Sequence, residues 1–486
     1  MSQDESKDSG KSELEEKLAF KSEFTWTKFT GEQKDQTKAF SREYLAFLRE
    51  ARTERERTAF AEKLAVEKGF RRIDFGSDSE TTVQPGDKVY YINRGKNIAL
   101  FVIGEAPMTS GVHFIGAHVD FPRIDLKIRP LYEEGKAGLA LLKTHYYGGL
   151  KKYLYATVPL ALTGVVSRAD GTIVNVEVGL DPEDPVFTIP DLLIHLAKNI
   201  QYDRKTPDVI KAEEMNAVAG SIQSDDDKAK ERFKINVLSI LNEKYGITEA
   251  DFYSAELTLV PAYEPRYVGF DKGLIGAAGQ DDGSCAYLAL RAILDLGIDI
   301  PALTVGTGLF DKEETGSNGA TGAQSAWIRQ VFADLAVRTG VKDSTTAINA
   351  VYSNVSMLSA DVSAGFDPSF PSVHDPQVAA VMGKGVVLER HSGSNGKYNT
   401  SEATAEYTGY VRRLFDAANV PYQFGTLGQV DAGGGGTIAM FFAQALNCNV
   451  IDCGVPIINM HSPFELSHIA DIFAGYLAYK AFFAAQ

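Results

Sequence analysis

The 486-residue chain carries 49 Lys and Arg against 64 Asp and Glu, a formal net charge of -15, and 44% hydrophobic residues. That length admits two or three structural units with ample apolar content for a core, while the acidic balance, without a clustered basic face, excludes a nucleic-acid binder. No apolar run approaches the roughly 18 residues that a membrane span requires.

Residues 1–20 read as a polar, disordered tail, because Met1 to Lys17 is rich in lysine and glutamate and lacks the apolar core of a signal peptide. Three cysteines, Cys285, Cys448 and Cys453, form no paired spacing; this fits a reducing cytoplasm and argues against a cysteine-built zinc site. From Asp35 to Lys68 apolar residues recur at helical spacing (Phe40, Tyr44, Phe47, Leu48, then Phe60, Leu64, Val66), with a break near Arg52 and a stop at Gly69. Short strands follow at Lys88 to Ile92, Ile98 to Ile103 and Val112 to Ala117, the last running into Ala117-His118-Val119-Asp120-Phe121-Pro122. Between Arg123 and about Tyr263 alternation replaces the helical period (Ile124, Leu126, Ile128; Val174, Val176, Val178), with a turn at Asp170-Gly171. Helical stretches occur there only near Leu192 to Ile200 and Ala229 to Lys244, and Asp225-Asp226-Asp227 reads as a solvated loop. The block 123–263 is therefore expected to be a smaller β-rich domain inserted into an α/β unit made of 21–122 and 264–486.

The α/β rhythm resumes after Pro265. Gly279-Gln280-Asp281-Asp282-Gly283-Ser284 precedes a helix with apolar Tyr287, Leu288, Leu290, Ile293 and Leu294. Leu303 to Phe310 reads as a buried strand that empties into Asp311-Lys312-Glu313-Glu314-Thr315-Gly316-Ser317, and a helix runs from about Gly322 to Thr339. Val355 to Ala360 is a strand feeding Asp361, and Val450 to Asn459 a strand region feeding Met460-His461-Ser462-Pro463. Polar clusters thus stand at strand ends (His118, Asp281, Glu313 with Glu314, Asp361, His461), where open α/β sheets bind their ligands.

Adjacent glutamates repel one another unless a cation or a proton sits beside them. A solvated Glu-Glu pair on an ordinary loop is the plain alternative to a metal site, but here the pair stands with two histidines and two further acids. Imidazole and carboxylate donors without thiolate suit zinc, cobalt or manganese, and a shared carboxylate can hold two ions about 3.5 Å apart, an arrangement suited to hydrolysis. One glutamate would then ligate metal while the other takes and returns a proton.

Taken in order, these segments resemble the aspartyl aminopeptidase (aminopeptidase I) family of two-zinc exopeptidases. The likeness extends to Tyr147-Gly148-Gly149 and to Ile189-Pro190 followed by His195, and it covers nearly the whole chain after the tail. The resemblance implies a zinc-peptidase-type α/β catalytic domain with a mixed central sheet flanked by helices, interrupted by a β-rich dimerisation domain. It implies dimers assembled into a tetrahedral dodecamer, and peptide substrates cleaved after their N-terminal residue. By position it implies that His118 and Asp361 hold one zinc, that Glu314 and His461 hold the other, and that Asp281 bridges them. Glu313 would be general base and acid, and Asp120 would accept a hydrogen bond from the far nitrogen of His118. His195 would reach the substrate bound by a neighbouring subunit.

The sequence departs from that family in two places. Relatives that prefer acidic N-terminal residues carry a lysine after a Gly-Pro-Val-Ile-like run, whereas Gly385-Val386-Val387-Leu388 is followed here by Glu389, and a His-Pro pair is replaced by Asp367-Pro368. Both changes place negative charge where an acidic substrate side chain would sit, so neutral or basic N-terminal residues are expected to be preferred. Gly434 and Gly435, in Gly433-Gly434-Gly435-Gly436-Thr437, form either a substrate-backbone contact or a tight turn; the run lacks the Lys-Ser/Thr of a phosphate-binding loop. His113 reads as a core or edge residue and His468 as a helix cap or surface group. A deacylase or carboxypeptidase would use the same metal cage, and a non-catalytic shell protein could keep the same fold.

Overall fold

The structure, a computed structural model, describes residues 13–19, 23–76, 82–297, 300–393, 395–431 and 434–485. In chain order its first strands are β1 (Arg71–Arg72), β2 (Lys88–Asn93), β3 (Asn97–Val102) and β4 (Val112–His118). The strand-rich segment contributes β5 (Arg123–Glu134), β6 (Leu139–Tyr147), β7 (Leu160–Ser167), β8 (Ile173–Val178), β9 (Asn216–Gly220) and β10 (Ala255–Pro261). The remainder supplies β11 (Arg266–Val268), β12 (Leu274–Ala277), β13 (Thr304–Phe310), β14 (Val355–Ser359), β15 (Ser363–Ala364), β16 (Val386–Glu389), β17 (Tyr422–Phe424), β18 (Asn449–Gly454), β19 (Pro456–Ile458) and β20 (Glu465–His468).

One mixed sheet has the order β1-β2-β3-β13-β4-β14-β18-β16-β17, with β13, β4, β14 and β18 mutually parallel. Side chains alternate between its faces. Ile98, Leu100 and Val102 of β3, with Ile115 and Ala117 of β4, join the core built by helices Gly31–Glu50, Glu54–Glu67, Gln280–Leu294 and Ile469–Phe483. Ala99 and Phe101 of β3, with Val112 and Phe114 of β4, join the core built by Trp327–Arg338, Thr345–Ser353 and Ala439–Leu446. A sheet covered on both faces must be apolar at nearly every position, which is why these strands read as continuous apolar runs. Each fully buried Leu, Ile or Phe in them stabilises the fold by roughly 1.5–3 kcal/mol.

Capping boxes start the first two long helices, Thr30 with Gln33 and Thr53 with Glu56. Between them Arg52 turns to the carbonyls of Pro261 and Tyr263 at 2.9 and 3.1 Å. Gly69 follows the second at φ +83°, the left-handed position that glycine adopts without a Cβ clash.

The second sheet, β8-β7-β10-β5-β6-β9, is drawn wholly from 123–261, and its core is completed by helix Arg232–Tyr245. Ile124 of β5 lies opposite Leu259 of β10, so the chain enters and leaves this sheet on adjacent antiparallel strands. A third, five-stranded sheet runs β11-β12-β20-β19-β15.

Several elements depart from the sequence reading. Leu192 to Ile200 yields only the short helix Ile194–Ala197, because its apolar residues Leu193, Ile194, Leu196 and Ile200 are exposed and pack into no core among the described residues. Asp281 and Asp282 hold non-helical backbones ahead of the helix proper, as read, whereas the helix expected from Gly322 begins at Trp327, after a run of turns. Val450 to Asn459 is two strands in different sheets. The chain leaves the first at Gly454, where a Cβ would stand 1.7 Å from the Asp361 carbonyl oxygen, and Pro456 has no N–H to continue the ladder. Of the tail read over 1–20, residues 1–12 and 20 lie outside the described residues, and Glu13–Leu18 is helical.

Candidate metal centre

The parallel strands β13, β4 and β14 end side by side, with Phe310 opposite His118 and Ser359 opposite Gly116. Their carboxyl ends deliver Glu313 with Glu314, His118 and Asp361 to one crevice. The other two residues come from the five-stranded sheet: Asp281 from the turn after β12, and His461 from the turn after β19.

Asp281 stands between the two imidazoles. Its Oδ1 lies 3.2 Å from His118 Nε2 and its Oδ2 lies 3.1 Å from His461 Nε2. Asp361 Oδ1 is 3.7 Å from His118 Nε2, and Glu314 Oε2 is 3.5 Å from His461 Nε2. Donor atoms of His118, Asp281 and Glu314 fall within 4.8 Å of one another, as do those of His118, Glu313 and Asp361. Glu313, read from the sequence as the base, thus stands with the His118 and Asp361 pair, and all six residues meet in one place.

Two buried acids hold these groups by their backbones. Asp120 Oδ1 accepts the N–H of Glu313 at 3.0 Å, and its Oδ2 accepts the N–H of Glu314 at 3.2 Å and the Tyr147 hydroxyl at 2.7 Å. The same carboxylate lies 3.3 Å from His118 Nδ1, the contact expected from the sequence; its own carbonyl is also 3.0 Å from that nitrogen. Glu465 Oε1 accepts the N–H of His461 at 2.9 Å, while its Oε2 accepts those of Gln280 and Asp281 at 2.6 and 3.2 Å. Asp282 accepts the N–H of His118 at 3.3 Å, and the Gly149 carbonyl lies 2.7 Å from His461 Nδ1, fixing that ring. The sequence reading gives Glu465, Asp282 and Gly149 no role; the available signal was an isolated acid between Phe464 and Leu466. Lys312 and His461 hold left-handed backbones, φ +73° and +62°, each costing a non-glycine residue roughly 1–3 kcal/mol. The Asp281–Asp282 peptide is cis.

Negative charge crowds the site. Burial, reinforced by Asp361, Asp120 and Asp281 and only partly offset by His118, pushes Glu313 up to about 8. Burial and Asp281 hold Glu314 well above its usual range, and burial and Asp361 do the same to Asp282. Burial disfavours charge on the imidazoles too, but Asp281 and Glu314 outweigh it and lift His461 to about 10, while Asp120, Asp281 and Asp361 raise His118. Asp281 is pulled below its usual range, against its burial, by the two imidazoles together. Glu314 Oε1 is buried without a hydrogen-bond partner among the described residues. Clustered imidazole and carboxylate donors that load one another with unfavourable charge, with a buried oxygen left unpartnered, fit a divalent cation such as zinc.

The remaining sequence candidates divide. Glu389 is buried at the end of β16 opposite Asp452, accepts the Ser363 hydroxyl at 2.5 Å, and is pushed by burial to about 7, with Asp452 and Asp361 adding to the shift. Asp367 turns its carboxylate back to the Ser369 N–H at 2.8 Å. Gly434 and Gly435 are exposed, and the Gly435 carbonyl accepts the Gly393 N–H at 2.7 Å; Gly433 lies outside the described residues. His195 is exposed on its short helix, separate from the clustered groups of its own chain. His113 is a core residue against Phe482 with Nε2 3.0 Å from the Tyr410 hydroxyl, and His468 caps the last helix through Nδ1.

Comparison with known proteins gives a concordant picture. The family model described as "Aminopeptidase I zinc metalloprotease (M18)" matches residues 47–483. A Clostridium acetobutylicum protein named "Probable M18 family aminopeptidase 1" is 44% identical over 457 residues, 94% of this chain and 97% of its own. The crystal structure of an M18 family aminopeptidase from Thermotoga maritima superposes with a TM-score of 0.88 at 43% identity, covering 96% of this chain and 99% of that one. The S. cerevisiae mApe1 dodecamer shares the fold at 21% identity, with a TM-score of 0.74 over 91% of this chain and 96% of that one.

Proposed function

This chain belongs to the aminopeptidase I (M18) family of zinc metalloproteases, and from that membership we propose a dinuclear zinc site that hydrolyses the N-terminal bond of peptides with Glu313 as its proton carrier. His118 and Asp361 would hold one ion, Glu314 and His461 the second, and Asp281 would be shared between them. The observation that carries this reading is Asp281 offering one carboxylate oxygen to each imidazole. Zinc bound there would supply Lewis acidity, lowering the pKa of a water toward about 7 and drawing charge from the scissile carbonyl.

The chain's own residues then divide the work. Glu313 takes a proton from the attacking water and passes it to the departing amine as the C–N bond breaks. A group that must act first as base and then as acid works best with a proton affinity near the operating pH. Asp120 anchors Glu313 by its backbone N–H, leaving the carboxylate free to face the substrate. It also sets the ring of His118. Glu389, carried near the crevice by β16, disfavours acidic N-terminal side chains, so neutral or basic residues are the preferred substrates.

His195 stands among exposed Leu193, Ile194 and Leu196, an apolar patch suited to burial against another copy of the chain. With the dodecameric S. cerevisiae relative, this supports a homo-oligomer of dimers in a tetrahedral shell, in which His195 completes the partner's site. The three cysteines are free, in keeping with a cytoplasmic protein.

Metal analysis together with a panel of aminoacyl, N-acyl and C-terminal reporter peptides tests the proposal. Two zinc ions per subunit and release only from free amino termini are expected. Full activity with one ion would remove the dinuclear reading, and preferential loss of acyl groups or C-terminal residues would favour a deacylase or carboxypeptidase.

A further inference from the structure

Arg57, on helix Glu54–Glu67, is 1% exposed and forms no ion pair within 4 Å among the described residues. A buried guanidinium without a carboxylate beside it is costly, so its surroundings must hold it by other means. It donates to three main-chain carbonyls: Nε to Ala51 at 3.3 Å, Nη1 to Val119 at 3.0 Å and Nη2 to Gly279 at 2.6 Å. The ring of Phe121 covers it, with the centroid 5.4 Å from Cζ. Asp282, Glu465 and Asp120, the acids that brace the metal ligands, act on its charge at longer range.

The identity of two of those carbonyls gives the arrangement its meaning. Val119 directly follows His118, and Gly279 stands just before Gln280 and Asp281. His118 and Asp281, which these turns carry, lie 163 residues apart in sequence, and the turns issue from different sheets. Space for the guanidinium is left by two glycines, since a Cβ on either Gly279 or Gly283 would lie 2.7 Å from Nη2. A lysine would keep the charge but could not span both carbonyls, because only the planar guanidinium offers donors in a fork.

We infer that Arg57 is a positioning residue of the metal centre: by bonding the Val119 and Gly279 carbonyls with one guanidinium, it fixes the separation of His118 from Asp281 before any ion is bound. The inference rests on the reading of His118 and Asp281 as zinc ligands. Arg57 is not among the clustered ligand groups, and it acts through the turns that carry them.

The test is zinc affinity of the full-length protein, measured by chelator competition, alongside the thermal midpoint of the metal-free form. Arg57→Lys removes the fork and keeps the charge, whereas Gly283→Ala leaves every donor in place and pushes a methyl into the guanidinium. Both should lower zinc affinity roughly 10- to 100-fold, the usual effect of losing a group that orients a metal ligand. Val331→Ala, in the core on the other face of the sheet, should lower the midpoint and leave zinc affinity unchanged. If Arg57→Lys does not fold, Gly283→Ala carries the measurement alone. Wild-type affinity in these variants, or an equal loss of affinity in Val331→Ala at the same loss of midpoint, would overturn the inference. If His118→Ala and Asp281→Ala also retain zinc, the ligand assignment itself fails; if they lose it while the Arg57 and Gly283 variants keep it, only the role of Arg57 fails.

Discussion

Asp120 holds Glu313 by the main chain: its Oδ1 accepts the Glu313 N–H at 3.0 Å across 193 residues of sequence. The two adjacent glutamates are thereby anchored through their backbones, and their carboxylates remain free for different tasks.

Glu313→Gln should therefore cut turnover by about 10²-fold or more, the loss typical of a removed general base, with the zinc content intact. Glu314→Ala should instead lose zinc from one of the two sites. Steady-state rates and metal analysis on the same preparations separate the two effects. A Glu313→Gln enzyme retaining more than a few per cent of activity would rule out this base.

Substrate preference should follow Glu389. It is 8% exposed, lies opposite Asp452, and has a hydroxyl for a partner where a cation would be expected beside two acids. Leu, Lys and Arg reporters should be cleaved faster than Asp or Glu reporters, and Glu389→Gln should narrow the gap. Faster release of acidic residues by the wild type would sink the assignment.

His195→Phe should lower turnover by roughly 10²- to 10³-fold, the cost of a lost hydrogen-bond donor to a developing oxyanion, with zinc and assembly retained. Mixing His195→Phe with Glu313→Gln under conditions of verified subunit exchange should restore part of the activity, because one pairing regains both intact groups. No recovery in verified mixed dimers, or a fully active isolated monomer, would end the shared-site proposal.

Acid should weaken the fold through Glu54. Its carboxylate lies 3.1 Å from Lys96 Nζ and 3.2 Å from Arg123 Nη1. Burial works to raise its pKa, but Arg123 and Lys96 outweigh that and lower it from 4.5 to about 2. A depressed folded-state pKa contributes stability that is present above about 4.5 and lost as pH falls toward 2, here on the order of 3 kcal/mol. Denaturant midpoints of the wild type should drop across that window more steeply than those of Glu54→Gln. Parallel curves would show that this ion pair contributes nothing.

The candidate ligand residues were legible because each is a polar interruption placed where an apolar strand ends. The sequence reading of His118, Glu313, Glu314 and Asp361 at strand ends therefore coincides with the crevice beyond β4, β13 and β14. Glu465 was not legible: its meaning depends on the N–H groups of Gln280 and Asp281, 185 and 184 residues away, and no local pattern encodes a partner at that distance. The split of Val450 to Asn459 escaped for a related reason, since the close approach of Gly454 to Asp361 is a tertiary contact. The stretch Leu192 to Ile200, read as helical, shortens to Ile194–Ala197 because its apolar residues face outward in the single chain.

The adjacency of β5 and β10 bears on the order in which this polymer can fold. Ile124 and Thr258 are 134 residues apart along the chain yet share a hydrogen bond. Once the six-stranded sheet has formed, the loop between β4 and β13 shrinks from about 185 flexible residues to about 50, which removes roughly 1 kcal/mol of closure entropy from their pairing. Nucleation within 123–261 would thus shorten the loop that the β4–β13 pairing must close. Pulse-labelled hydrogen exchange during refolding should find amides of β5, β7 and β10 protected before those of β4 and β13; the reverse order would mean that the nine-stranded sheet forms first and bears the full entropic cost.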